Sequence, residues 1–98
     1  MTMNIALIGY GEVGKILAED LRSQGVAVSA YDSKLDSGHG QPLREQAATH
    51  DVVIASSHAT AVHGVELVVC AVTASQAVAA AKAVAPGLKR GAFFLDLN

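Results

Sequence analysis

Ile8-Gly9-Tyr10-Gly11-Glu12-Val13-Gly14 joins two runs of different periodicity, and its reading decides the fold. Upstream, Met3–Ile8 is nearly continuous in apolar character, as a strand buried on both faces is. Downstream, Val13, Ile16, Leu17 and Leu21 recur with the 3.6-residue period of a helix over Glu12–Gln24. Lys15, Glu19, Asp20 and Arg22 lie mostly around the other side, and Gly25 supplies a stop. The segment is therefore a strand, a tight turn and a helix, with glycines spaced G-x-G-x-x-G. That spacing alone is a weak signal. Its context strengthens it, because Val26–Tyr31 reads as a second strand that runs into Asp32. This acidic residue lies 18 residues after Gly14, against an expected spacing of about 20.

Physical chemistry gives each of these residues a task. Gly9 permits the turn, Gly11 lets a pyrophosphate approach bare backbone, and Gly14 allows close helix packing. Free N–H groups at the helix start then face the phosphate charge. Asp32 would accept hydrogen bonds from ribose hydroxyls and repel a 2′-phosphate, which favours NAD over NADP. Ser33 and Lys34 pull the other way, since both could contact a phosphate, so NADP stays open. The same stretch also matches the opening of a P-loop, Gly9-x-x-x-x-Gly14-Lys15. Ile16 stands where that motif needs a magnesium-binding hydroxyl, and Lys15 is read as a solvated helix residue.

Outward from this unit, strands and helices keep alternating. Ser33–Pro42 reads as a loop and Leu43–His50 as a short helix. Val52–Ala55 is a third strand, and Ser57–Gly64 is a helical turn with Ser57 as its N-cap. Glu66–Val72 is a fourth strand, and Ser75–Ala85 an alanine-rich helix that stops at Pro86–Gly87. Ala92–Leu97 is a fifth strand. Such alternation predicts an α/β fold, a doubly wound parallel sheet of about five strands in the order 3-2-1-4-5. The loop Val72-Thr73-Ala74 then lines the ligand crevice, with Thr73 either touching the ligand or capping the next helix. Asn98 lies on the same edge and is read as a terminus rather than a ligand contact.

Composition narrows the function. The 98 residues amount to one domain or part of one. With apolar residues at 51% and charged residues at 16%, disorder is excluded. A net charge of −2 offers no basic field for nucleic acid. No apolar run is long enough to span a membrane, and the N-terminus lacks the basic start of a signal peptide. The lone Cys70 fits a reducing, cytoplasmic setting and reads as a buried small hydrophobe. His39, His50, His58 and His63 show no metal-ligand spacing, and no catalytic constellation can be read. Asp96, between Leu95 and Leu97, is read as a buried carboxylate or a strand-end hydrogen-bonding group. Ala occurs 18 times and Val 12 times, which suits close helix-on-sheet packing. So apolar a chain of this size is expected to have part of its surface covered by something else.

Ile5–Leu21 together with Val26–Asp32 resembles the β-hydroxyacid dehydrogenase superfamily, which includes 6-phosphogluconate and 3-hydroxyisobutyrate dehydrogenases. Glu66–Thr73 and Gly91–Asn98 resemble its fourth and fifth strands. The resemblance implies a Rossmann-like domain that binds NAD, or NADP, through Gly9, Tyr10, Gly11, Glu12, Val13, Gly14, Asp32, Val72 and Thr73. The chain departs from the family at Val13, where Met is frequent. It departs again at Asp32-Ser33-Lys34, where NADP users often carry Asn-Arg-Thr; this second departure favours NAD. The resemblance also implies a substrate-binding Ser/Thr segment and a catalytic lysine in a helical domain, both beyond Asn98. The 98 residues are thus expected to be a truncated N-terminal fragment, inactive alone, of a dehydrogenase acting on a small hydroxyacid. The alternatives are a stand-alone nucleotide-sensing module and a fold minimised by deletion. The fifth strand is apolar on both faces, so self-association through its edge is expected, giving a homo-oligomer such as a dimer.

Overall fold

The computed structural model describes residues 3–38 and 40–97. Strands and helices alternate as β1 (Asn4–Ile8), α1 (Glu12–Ser23), β2 (Ala27–Tyr31), α2 (Gly40–Thr49), β3 (Val53–Ile54), α3 (His58–Val62), β4 (Leu67–Cys70), α4 (Ala77–Val84) and β5 (Phe93–Asp96). Every strand pairing is parallel and the order is β3-β2-β1-β4-β5. The central strands carry the continuous apolar runs because both of their faces are covered.

Register fixes which side chains share a face. Ile5 and Leu7 lie beside Val28 and Ala30 on β2, and beside Leu67 and Val69 on β4. Ala6 and Ile8 lie with Ser29, Tyr31, Val68 and Cys70 on the other face. Ser29 Oγ donates to the Ala61 carbonyl of α3 at 2.7 Å, so this second face carries α3. The right-handed crossovers put α1 and α2 on the first face and α3 and α4 on the second. Leu7, Ile8, Val62, Val68 and Val84 are fully buried between the layers.

Three segments differ from the sequence reading. The expected loop Ser33–Pro42 holds a 3-10 turn, Ser33–Asp36, and the start of α2 at Gly40. Pro42 sits in the first helical turn, where a missing N–H costs nothing. The third strand shrinks to Val53–Ile54 because Asp51, at φ 58°, turns the chain just before it. Asp96 is exposed rather than buried, since β5 is the sheet edge and every one of its residues is exposed. Asn98 and His39 lie outside the described residues. Among those described, no helix is long and apolar enough to cross a membrane, and no group of three metal-ligating side chains gathers.

Glu66 ties three strands together at their amino ends. Its Oε2 accepts the Asn4 N–H at 2.9 Å, and Lys89, ahead of β5, lies 3.8 Å from its Oε1. The Asn4 N–H, with a smaller contribution from Lys89, holds this carboxyl below its ordinary value of 4.5. A carboxyl depressed by folding stabilises the native state above its unfolded value, and that stability is lost as pH falls through the folded value. Thermal melts from neutral to acid pH should therefore show Glu66→Gln less stable than wild type at neutral pH, with the difference vanishing below the carboxylate range.

Candidate functional site

The crevice opens at the carboxyl ends of β1, β2 and β4, where the sheet order reverses direction. Its volume is about 540 Å³, within the range of small-molecule sites. Gly9 and Gly11 form its floor. Tyr31, Asp32, Ser33 and Lys34 wall one side, and Ala71, Val72 and Thr73 the other.

The three motif glycines are required for different reasons. Gly9 has φ 98°, and a Cβ there would sit 2.6 Å from the Ala71 carbonyl oxygen of the neighbouring strand end. Its N–H donates to the Tyr31 carbonyl at 2.8 Å, and the Ala71 N–H donates to the Ile8 carbonyl at 2.7 Å. The turn is thus tied to the strands on both sides. A Cβ on Gly14 would overlap the Gly9 carbonyl oxygen, so this glycine lets the first turn of α1 close on the loop. A Cβ on Gly11 would meet nothing within 4 Å. No packing within the protein requires a glycine at position 11. Gly11 is also the N-cap of α1 and provides no side-chain cap, which leaves the N–H groups of the first turn open toward the crevice.

Asp32 binds the loop before it meets any ligand. Its Oδ2 accepts the Tyr10 N–H at 2.7 Å, and its Oδ1 accepts the Lys34 N–H at 2.9 Å. Each oxygen keeps a second lone pair for a hydroxyl donor. Tyr10 contributes only its backbone here. Its ring is fully buried, and its hydroxyl has no hydrogen-bond partner. Burial, aided by the charge of Glu19, pushes the Tyr10 phenol upward. Glu12 and Val13 are exposed on α1, and their side chains do not line the crevice. Thr73 sits in the cap position before the 3-10 turn Ala74–Gln76 but makes no side-chain cap bond. Its hydroxyl pairs with that of Ser75 at 3.2 Å, on the crevice wall. Lys15 borders a separate shallow surface with Glu12 and Glu19, away from the crevice.

Several lining residues escape the motif. Gln76, Ala79 and Ala83 present one stripe of α4 to the crevice. Their spacing of three and four marks a helix face, and the two alanines keep the wall low. His58, from the start of α3, packs its ring 4.5 Å from that of Tyr31. Cys70 lies just beneath the crevice. Burial, opposed by a backbone hydrogen bond at Val72, pushes its thiol upward, so it stays protonated and inert. A second cleft, of about 480 Å³, lies around the amino ends of the strands. Its one guanidinium, Arg22, is already held by Asp51 at 2.8 Å and by the Val26 carbonyl at 3.0 Å.

Comparison with known proteins adds the following. The family model described as the NAD binding domain of 6-phosphogluconate dehydrogenase matches residues 4–98. A conserved hypothetical protein from Sinorhizobium meliloti 1021 superposes with a TM-score of 0.92 at 31% identity, over 100% of this chain and 33% of its own. The Mycobacterium tuberculosis 3-hydroxyisobutyrate dehydrogenase, solved with L-serine, gives a TM-score of 0.83 at 23% identity, over 98% of this chain and 31% of its own. Synechocystis arogenate dehydrogenase gives 0.83 at 17% identity, over 98% of this chain and 33% of its own. At these identities the last two show a shared fold. The chain spans about a third of the length of each structure. No curated protein sequence matches it.

The loop geometry generates opposite expectations for neighbouring positions. Gly9→Ala and Gly14→Ala should each lose roughly 2–4 kcal/mol in urea unfolding, from strain and overlap with backbone. Tyr10→Phe should gain about 1 kcal/mol, because it removes a buried hydroxyl that has no partner.

Proposed function

The chain belongs to the family of the NAD binding domain of 6-phosphogluconate dehydrogenase, and from that premise we propose that the crevice at the glycine turn is its dinucleotide site. The observation that carries this is Gly11. It is the one motif glycine that the protein's own packing does not require, and it lies where a side chain would fill the crevice floor. Gly9 and Gly14 shape the turn. The N–H groups of Glu12, Val13 and Gly14 then face the pyrophosphate with the positive end of the α1 dipole behind them. Asp32 takes the adenosine ribose hydroxyls on its remaining lone pairs. The adenine side of the ligand lies toward Ser33, Lys34 and the alanine stripe of α4, and Val72 and Thr73 border the path toward the nicotinamide.

The fixed carboxylate of Asp32 favours NAD, since a 2′-phosphate would meet a negative charge held in place by two backbone N–H groups. Nicotinamide, when bound, supplies the hydride chemistry, and this chain's residues bind and orient it. The wider reading is an oxidoreductase of the 6-phosphogluconate or 3-hydroxyisobutyrate dehydrogenase type, acting on a small hydroxyacid in the cytoplasm. Within it these residues form the cofactor-binding part, and alone they bind without turnover.

Calorimetric titration of NADH and NADPH tests the site. Gly11→Ala should leave the unfolding midpoint within about 1 kcal/mol of wild type, yet weaken NADH binding by about tenfold or more. Unchanged affinity would overturn the reading. Asp32→Asn should lower the preference for NADH over NADPH, through loss of repulsion at the 2′-phosphate.

A further inference from the structure

The two edges of the sheet are finished differently. At one edge β3 offers only Val53 and Ile54, and so short a strand is a poor template for another chain. At the other, β5 offers Phe93, Phe94, Leu95 and Asp96, all exposed. It contains no proline and no lysine, two of the devices that commonly blunt an edge. Phe93 is 74% exposed, Leu95 49% and Leu97 46%.

Backbone direction decides what the edge presents. The amides of Phe93 and Leu97 donate inward, to the carbonyls of Glu66 and Cys70 at 2.9 and 3.0 Å. By the alternation of a strand, the N–H and C=O groups of Phe94 and Asp96 point outward. Phe93 and Leu95 share the face of Leu67 and Val69, which is the α1 side of the sheet. The chain folds no helix over that face beside β5, because α1 serves β1 and β2, and α4 lies on the opposite side.

Charge selects the occupant. Lys89 and Arg90 stand ahead of β5, and Asp96 closes it. A second copy added parallel would set like charges side by side. Added antiparallel, its basic end meets the acidic end of the first. We infer that β5 pairs antiparallel with β5 of a second copy of this chain, about a two-fold axis at Phe94. Phe93 of each copy then lies across from Leu95 of the other, and Asp96 lies diagonal to Arg90 of the other. The contact is isologous, and it joins the two sheets into one.

The inference is independent of the dinucleotide reading, because β5 lines no part of the crevice. Sedimentation velocity on the whole chain, from micromolar to millimolar concentration, should show a reversible monomer–dimer equilibrium. Phe93→Lys replaces an exposed side chain, so its circular dichroism should stay native while the dimer weakens by about tenfold or more. Arg90→Asp should weaken the dimer, and combining it with Asp96→Arg should restore it. A chain that stays monomeric throughout overturns the inference and leaves the strip to a different partner. So does a dimer unmoved by Phe93→Lys, a charge swap that fails to restore pairing, or open-ended aggregation.

Discussion

The hydrogen bond from the Tyr10 N–H to Asp32 Oδ2, at 2.7 Å, joins the first turn to the end of the second strand. The rest of the crevice is arranged around it. Asp32 is held from a second direction by the Lys34 N–H, which also opens the 3-10 turn Ser33–Asp36. One carboxylate therefore sets the height of the glycine loop, the direction of the chain after β2 and the negative charge on the crevice wall. A charge-assisted bond of this kind is among the stronger polar contacts available to a small domain. It positions the loop and the carboxylate relative to each other before any ligand arrives.

The buried ring of Tyr10 anchors the same loop from below, so the loop is held by a polar contact above and an apolar one beneath. The hydroxyl pulled inside with the ring is a local cost. It shows that anchoring the loop outweighs a satisfied phenol at this position. Function and stability compete over one residue, with the side chain serving packing and the main chain serving the site.

Much of this was legible in the sequence because parallel strands covered on both faces leave continuous apolar runs. Met3–Ile8, Val26–Tyr31 and Glu66–Val72 could hardly be read otherwise, and the strand order follows from right-handed crossovers. The reading failed where local chemistry misleads. Gly38, Gly40 and Pro42 look like a loop, yet Gly40 packs against the Leu35 carbonyl and opens α2. Val52–Ala55 looks like a four-residue strand, yet an edge strand extends only as far as its neighbour pairs it. At the site, Gly9, Gly11, Asp32, Val72 and Thr73 reach the crevice, while Tyr10, Glu12, Val13 and Gly14 turn their side chains away or have none to offer. Spacing locates a backbone turn, and it is silent on where each side chain goes. The stripe of Gln76, Ala79 and Ala83 was visible as helical periodicity but carried no chemical signature, since alanines that shape a wall look like alanines that favour a helix.

The two-residue strand β3 has a consequence of its own. A sheet that ends bluntly on one side can grow only from the other, and growth through a self-complementary edge uses that edge up. Neither head-to-tail stacking nor fibril extension then has a surface to proceed from. An apolar strip that would invite amyloid in a symmetric sheet is confined here to a single closed event.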